Sequence, residues 1–228
     1  MNTPLPSSRN PVLDQHGRHF REHGYSVLRG VLSPSEAELC AGYALLQSQV
    51  EGYFTMEQPL TARGRYADAL SESLLLRVLP LMQVVAGGPL FPCYSYLRIY
   101  QAGAELPRHL DRPSCEISTS LALGGDATRP WPLCVEAGGK DLSLPLAPGD
   151  MLAYRGADLP HWRDRFEGRH WIQVFLHYVR ADGDHADYRY DGRERIGPFD
   201  PARQRRELPK DAAGAPPSGE ASAKDAGG

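Results

Sequence analysis

The chain has 228 residues, 41% of them hydrophobic, which suits one domain with a real core. A formal net charge of −3 argues against a nucleic-acid footprint and against a polybasic membrane patch. No apolar run approaches the ~18 residues a bilayer span needs, and the polar, proline-rich opening "MNTPLPSSRNP" lacks a signal-peptide core. The expected setting is therefore cytoplasmic, with neither nucleic acid nor membrane as a partner. The four cysteines, Cys40, Cys93, Cys115 and Cys134, form no C-x-x-C pair and read as small buried hydrophobes.

In chain order, residues 1–13 are expected to be a flexible lead. "DQHGRHFREHG" (14–24) predicts a short helix with Asp14 as N-cap and Gly24 just past its end. "YSVLRGVL" (25–32) predicts a strand. "SPSEAELCAGYALLQSQV" (33–50) carries the strongest helix signal: Ser33 as cap, Pro34 at the first position and Glu36 completing a capping box. Leu39, Tyr43, Leu46 and Val50 would form its apolar face. Residues 51–69 read as irregular. "SESLLLRVLPLMQVVAG" (71–87) returns to helical spacing, and Pro80 should kink or end it.

After Pro89 the pattern changes to short strands divided by Gly/Pro turns, the signature of an antiparallel sandwich or barrel. "CYSYLRIY" (93–100) alternates, with Tyr94, Tyr96, Arg98 and Tyr100 on one face. "CEISTSLAL", "WPLCVE", "LSLPL", "MLAY" and "HWIQVFLHYV" follow. The fold class is mainly β with flanking helices: a helical front (14–90), then a β-roll core (91–180), within one domain spanning 14–199. The tail 200–228 is low in complexity and expected to be disordered.

The chemistry centres on "AELPRHLDRP" (104–113). On an extended segment His109 and Asp111 point the same way, so one ion can take a ligand from each. Among the other histidines, His16, His19 and His23 read as a solvated helix face. His161 stands out, at the end of "PGDMLAYRGADLPH", a segment that can return antiparallel beside the first ligand strand. Two histidines and one carboxylate on one face of an octahedron suit non-haem Fe(II) with positions left for co-substrate and oxygen. Arg169 in "EGRHWIQVF" begins an alternation with Trp171, Gln173 and Phe175; it is either a guanidinium awaiting a ligand carboxylate or a surface arginine in a hairpin.

The order H-x-D, distant His, then Arg on the following strand resembles the Fe(II)/2-oxoglutarate-dependent dioxygenases, in particular their prolyl-4-hydroxylase-like branch. "HGYSVLRGVLSPSEAELC" and "LRIYQAGAELPRHLD" are similar to the family's opening and to its Tyr–Gly–His-x-Asp run, and the resemblance covers roughly residues 20–180. It implies a double-stranded β-helix, or jelly roll, with His109, Asp111 and His161 as iron ligands. It also implies that Arg169 and Tyr100 hold the distal carboxylate of 2-oxoglutarate, with Gln173 nearby. Co-substrate turnover with O2 would release succinate and CO2, and a C–H of a small molecule or peptidyl side chain would be hydroxylated. Because Asp111 is present where halogenating relatives carry a small residue, hydroxylation or a related oxidation is expected. Arg98 and Arg163 would add positive charge near the site, either as rim salt bridges or as contacts to an anionic substrate. Two other readings stand beside this one: a cupin-like roll that binds a metal or anion without turnover, and an interaction domain whose helical front meets a protein partner.

Overall fold

The structure is a computed structural model that describes residues 10–127 and 129–198. The expected disordered tail, from residue 200 onward, lies outside the described residues, as do residues 1–9 of the expected flexible lead. Helix α1 spans Pro11–His23. Its cap is Asn10 rather than Asp14, with the Asn10 side chain accepting from the Val12 amide at 3.1 Å. Residues 11–13 therefore form the first helical turn. Gly24 ends the helix at φ 78°, a left-handed conformation that costs glycine little. Strand β1 is shorter than expected, Tyr25–Leu28.

Helix α2, Pro34–Gln47, opens on the expected capping box between Ser33 and Glu36. Its buried face is not the expected one. Ala37, Cys40 and Ala44 point inward, while Leu39 and Leu46 are 75% and 68% exposed. Small side chains let the helix lie close against the sheet, at strand β6 (Ile117–Gly125). The 51–69 stretch contains two strands, β2 (Thr55–Glu57) and β3 (Ala62–Tyr66), which pair antiparallel.

Helix α3, Ala69–Ala86, runs unbroken through Pro80. Proline frees the carbonyl four residues earlier. Leu76 and Pro80 are both exposed, so water can take that carbonyl, while Leu74, Leu75, Val78, Met82 and Val85 keep the buried stripe continuous. With 18 residues and a mean hydropathy of 1.5, α3 is long and apolar enough to cross a bilayer by length and composition, contrary to expectation. Here it packs against α1, β4 (Leu90–Gln101) and β11 (His170–Arg180).

The remaining strands are β5 (Leu106–His109), β7 (Leu133–Ala137), β8 (Lys140–Leu144), β9 (Met151–Tyr154) and β10 (His161–Arg163). They build two antiparallel sheets, ordered β1-β9-β6-β11-β4-β3-β2 and β5-β10-β7-β8. Alternation divides the large sheet cleanly. Ile172, Val174 and Leu176 of β11 join the core beneath the helices, whereas Trp171 and Phe175 join the core enclosed by the two sheets. This is the expected double-stranded β-helix with its helices on one outer face. The four cysteines are buried and free.

Candidate metal centre

Strand β10 returns antiparallel beside β5, and His161 sits directly opposite His109 in register. The two rings are 4.2 Å apart between centroids. Asp111 follows β5 by two residues, and its amide donates to the Gly156 carbonyl at 2.9 Å. Asp111 Oδ1 lies 3.6 Å from Nε2 of His109 and 3.6 Å from Nε2 of His161. One ligand atom from each residue falls within 4.8 Å of the others.

The tautomers follow from the backbone. Nδ1 of His109 is 2.8 Å from the Pro107 carbonyl, and Nδ1 of His161 is 2.9 Å from the Leu159 carbonyl. A carbonyl only accepts, so each Nδ1 carries the proton and each Nε2 offers a lone pair toward Asp111. Burial works to raise the Asp111 carboxyl, but the two imidazoles hold it well below the usual carboxylate range. Burial opposes protonation of His109, yet Asp111 and the Pro107 carbonyl raise its pKa overall. With both rings deprotonated at Nε2, two nitrogen donors and one ionised carboxylate, with orienting contacts already behind the rings, fit a divalent first-row metal with further positions open.

A second tier stands behind Asp111. The Ser118 hydroxyl is 3.2 Å from Asp111 Oδ2 and 2.9 Å from Nδ1 of His177. Burial lowers the His177 pKa to about 4, so the ring is neutral near pH 7. With Nδ1 donating to Ser118, the hydroxyl proton is shared between Asp111 and the Cys115 carbonyl, 3.1 Å away. A Cβ at Gly156 would lie 2.3 Å from Asp111 Oδ2 and 2.7 Å from Ser118 Oγ, so only glycine fits there. This tier escaped the sequence reading. Its signal was parity: His177 shares the inward face of β11 with Gln173 and Phe175.

The arginines differ from expectation. Arg169 precedes β11 rather than joining its alternation. Its side chain is 87% exposed and paired with the Asp126 carboxylate, which also accepts from the amides of residues 169 and 170. It is the hairpin-turn surface arginine, not a guanidinium facing the roll. Arg163 is buried rather than at a rim, and the Arg98 side chain is only 12% exposed. Arg98 forms a two-point pair with Glu57, Nε to Oε2 at 2.7 Å and Nη2 to Oε1 at 3.2 Å, and donates to the Tyr100 hydroxyl at 3.3 Å. Arg163 faces the roll interior on β10, stacked 4.7 Å from the Trp131 ring. Tyr100 is fully buried on β4. Gln173 donates to Ser120 at 2.8 Å and accepts from the Trp171 indole at 2.9 Å.

Solved structures share this architecture. The chain has the fold of the Fe(II)/2-oxoglutarate oxygenases. A Pseudomonas putida prolyl-4-hydroxylase is 17% identical with a TM-score of 0.64, covering 74% of this chain and 98% of that one. The epimerase SnoN from nogalamycin biosynthesis, in complex with Fe3+, alpha ketoglutarate and nogalamycin RO, is 15% identical with a TM-score of 0.68, covering 89% and 98%. HygX from Streptomyces hygroscopicus, with nickel, 2-oxoglutarate and hygromycin B bound, is 17% identical with a TM-score of 0.58, covering 74% and 87%. No protein-family model matches the chain, and no curated protein does. At these identities the likeness to that oxygenase fold fixes the architecture, and the chemistry has to be argued from the site.

Proposed function

We propose that the protein is an Fe(II)- and 2-oxoglutarate-dependent oxygenase that oxidises a small molecule or a peptidyl side chain, most simply by hydroxylating a C–H bond. One observation carries this reading: the convergence of His109, Asp111 and His161, with both Nε2 lone pairs turned inward by carbonyls on Nδ1. Those three side chains would hold the iron. Bound there with the co-substrate, the metal would supply the activation of O2, with succinate and CO2 released.

The protein's part is positional. Pro107 and Leu159 fix the ring orientations, and Ser118 steadies the free oxygen of Asp111. Aromatic walls at Tyr96, Tyr100, Trp131 and Phe175 keep bulk water from the interior. Asp111 keeps a carboxylate in the third ligand position, which favours oxygen transfer over halide transfer. That SnoN and HygX were solved with nogalamycin RO and hygromycin B supports a small-molecule substrate here.

The experiment is a screen of carboxylated metabolites, free amino acids, proline-containing peptides and glycosylated small molecules, read by succinate release under air with Fe(II) and 2-oxoglutarate. Succinate release that His109→Ala abolishes supports the reading. Release unchanged by His109→Ala overturns it.

A further inference from the structure

Helix α2 is apolar on two sides, and the fold uses one of them. Ala37, Cys40 and Ala44 face the sheet. On the side turned away from it, Ser35, Leu39, Gly42 and Leu46 follow one another at spacings of four, three and four residues, the seam spacing of paired helices. Leu39 and Leu46 are 75% and 68% exposed, and a Cβ at Gly42 between them would meet nothing within 4 Å. The apolar surface continues past the helix. Val50 is 55% exposed, and Met56 on β2 is 47% exposed. Met56 stands opposite Arg63 of β3, whose Nη1 donates to the Ser48 carbonyl at 3.3 Å. Single exposed leucines are ordinary, but a row of them at seam spacing marks a contact surface.

Symmetry and charge say what covers it. A second α2 laid antiparallel about a two-fold axis beside Gly42 sets each Leu39 against the partner's Leu46. The two glycines, lacking side chains, let the helices approach closely where they cross. Glu36 is already paired with Arg77 at 2.6 Å. Glu38, beside the row near the start of the helix, and Arg63, near its end, have no ionic partner among the described residues. The two-fold brings each Glu38 toward the partner's Arg63. Glu51 then falls near the N-terminus of the facing helix, the end that favours an acid. The chain's own tail is a poorer match, since from residue 200 onward its only large apolar residue is Leu208.

We propose that the protein pairs with a second copy of itself through α2, antiparallel and centred on Gly42. One helix pair with a flanking hairpin lies at the small end of stable interfaces, so the pair dissociates in the micromolar range and dilute protein is monomeric. The pairing does not depend on the chemistry at the metal centre.

The test is sedimentation equilibrium of the full chain from about 1 to about 200 μM. Wild type should pass from monomer to dimer across that range. Leu46→Glu should weaken the dimer by more than about 30-fold, the loss of a central contact, while melting like wild type in dilute solution. Glu38→Arg and Arg63→Glu should each weaken it by about 3-fold or more, and the two together should restore it, because the charges are then exchanged. A chain that stays monomeric throughout overturns the proposal and leaves the leucine row to a different protein. A dimer unaffected by Leu46→Glu also overturns it, since another face then makes the contact. A dimer that Leu46→Glu breaks but the charge exchange does not restore overturns the antiparallel arrangement.

Discussion

His161 faces His109 across neighbouring antiparallel strands, and each ring is tied at Nδ1 to the carbonyl two residues before it. The same local device is used twice, so both ligand nitrogens are presented by backbone geometry. Removing either imidazole should leave a carboxylate with one nitrogen donor. His161→Ala and His109→Ala should each lower Fe(II) or Ni(II) affinity by far more than the ~10–100-fold typical of outer-sphere changes. Metal titration checks this directly.

The support behind Asp111 predicts a smaller effect. Ser118→Ala removes the hydroxyl beside Asp111 Oδ2 without touching a ligand. Metal affinity should fall by about 10–100-fold while the fold persists. Gly156→Ala should do at least as much, because its methyl would displace the carboxylate. Metal titration paired with thermal denaturation separates lost affinity from lost folding.

Burial of neutral His177 makes the metal-free protein sensitive to acid. Its folded pKa, about 4, lies below the ordinary 6.5. Its contribution to stability is therefore complete above pH 6.5. As pH falls from 6.5 toward 4, the unfolded chain binds a proton that the folded chain refuses, and up to about 3 kcal/mol is lost. Urea denaturation at stepped pH should show this loss, and His177→Phe should flatten it over the same window.

Two substitutions on α2 test its register. Leu46→Ala, on the exposed side, should change stability by less than about 0.5 kcal/mol. Ala44→Leu, on the buried side, should cost about 1–3 kcal/mol through overpacking. The face expected from the sequence would reverse that order in chemical denaturation.

These outcomes mark what the sequence made legible. The Ser33–Pro34–Glu36 start of α2 and the shared inward face of Trp171, Gln173 and Phe175 on β11 are local signals, and they appear as read. The buried face of α2 was not legible: leucines at helical spacing define a stripe, but the neighbouring sheet accepts only alanine and cysteine there. Strands β2 and β3 were hidden by Pro59 and Gly64, although tertiary pairing with β4 holds β3 in place. At the site, period-two reasoning brought His109 and Asp111 together, while His161 required the return of a distant strand. Arg169 was chosen for its distance along the chain from His161. Its exposure and its Asp126 partner depend on a turn that spacing does not describe.

The central claim is that these three side chains form an iron site completed by a 2-oxo acid. Its most direct measurement is anaerobic absorbance titration of the full chain with Fe(II), then with 2-oxoglutarate. One equivalent of Fe(II) should bind, and 2-oxoglutarate should bring up a visible charge-transfer band that is missing in His161→Ala. Wild-type protein that binds Fe(II) yet gives no band, or a band that survives in His161→Ala, would contradict the account.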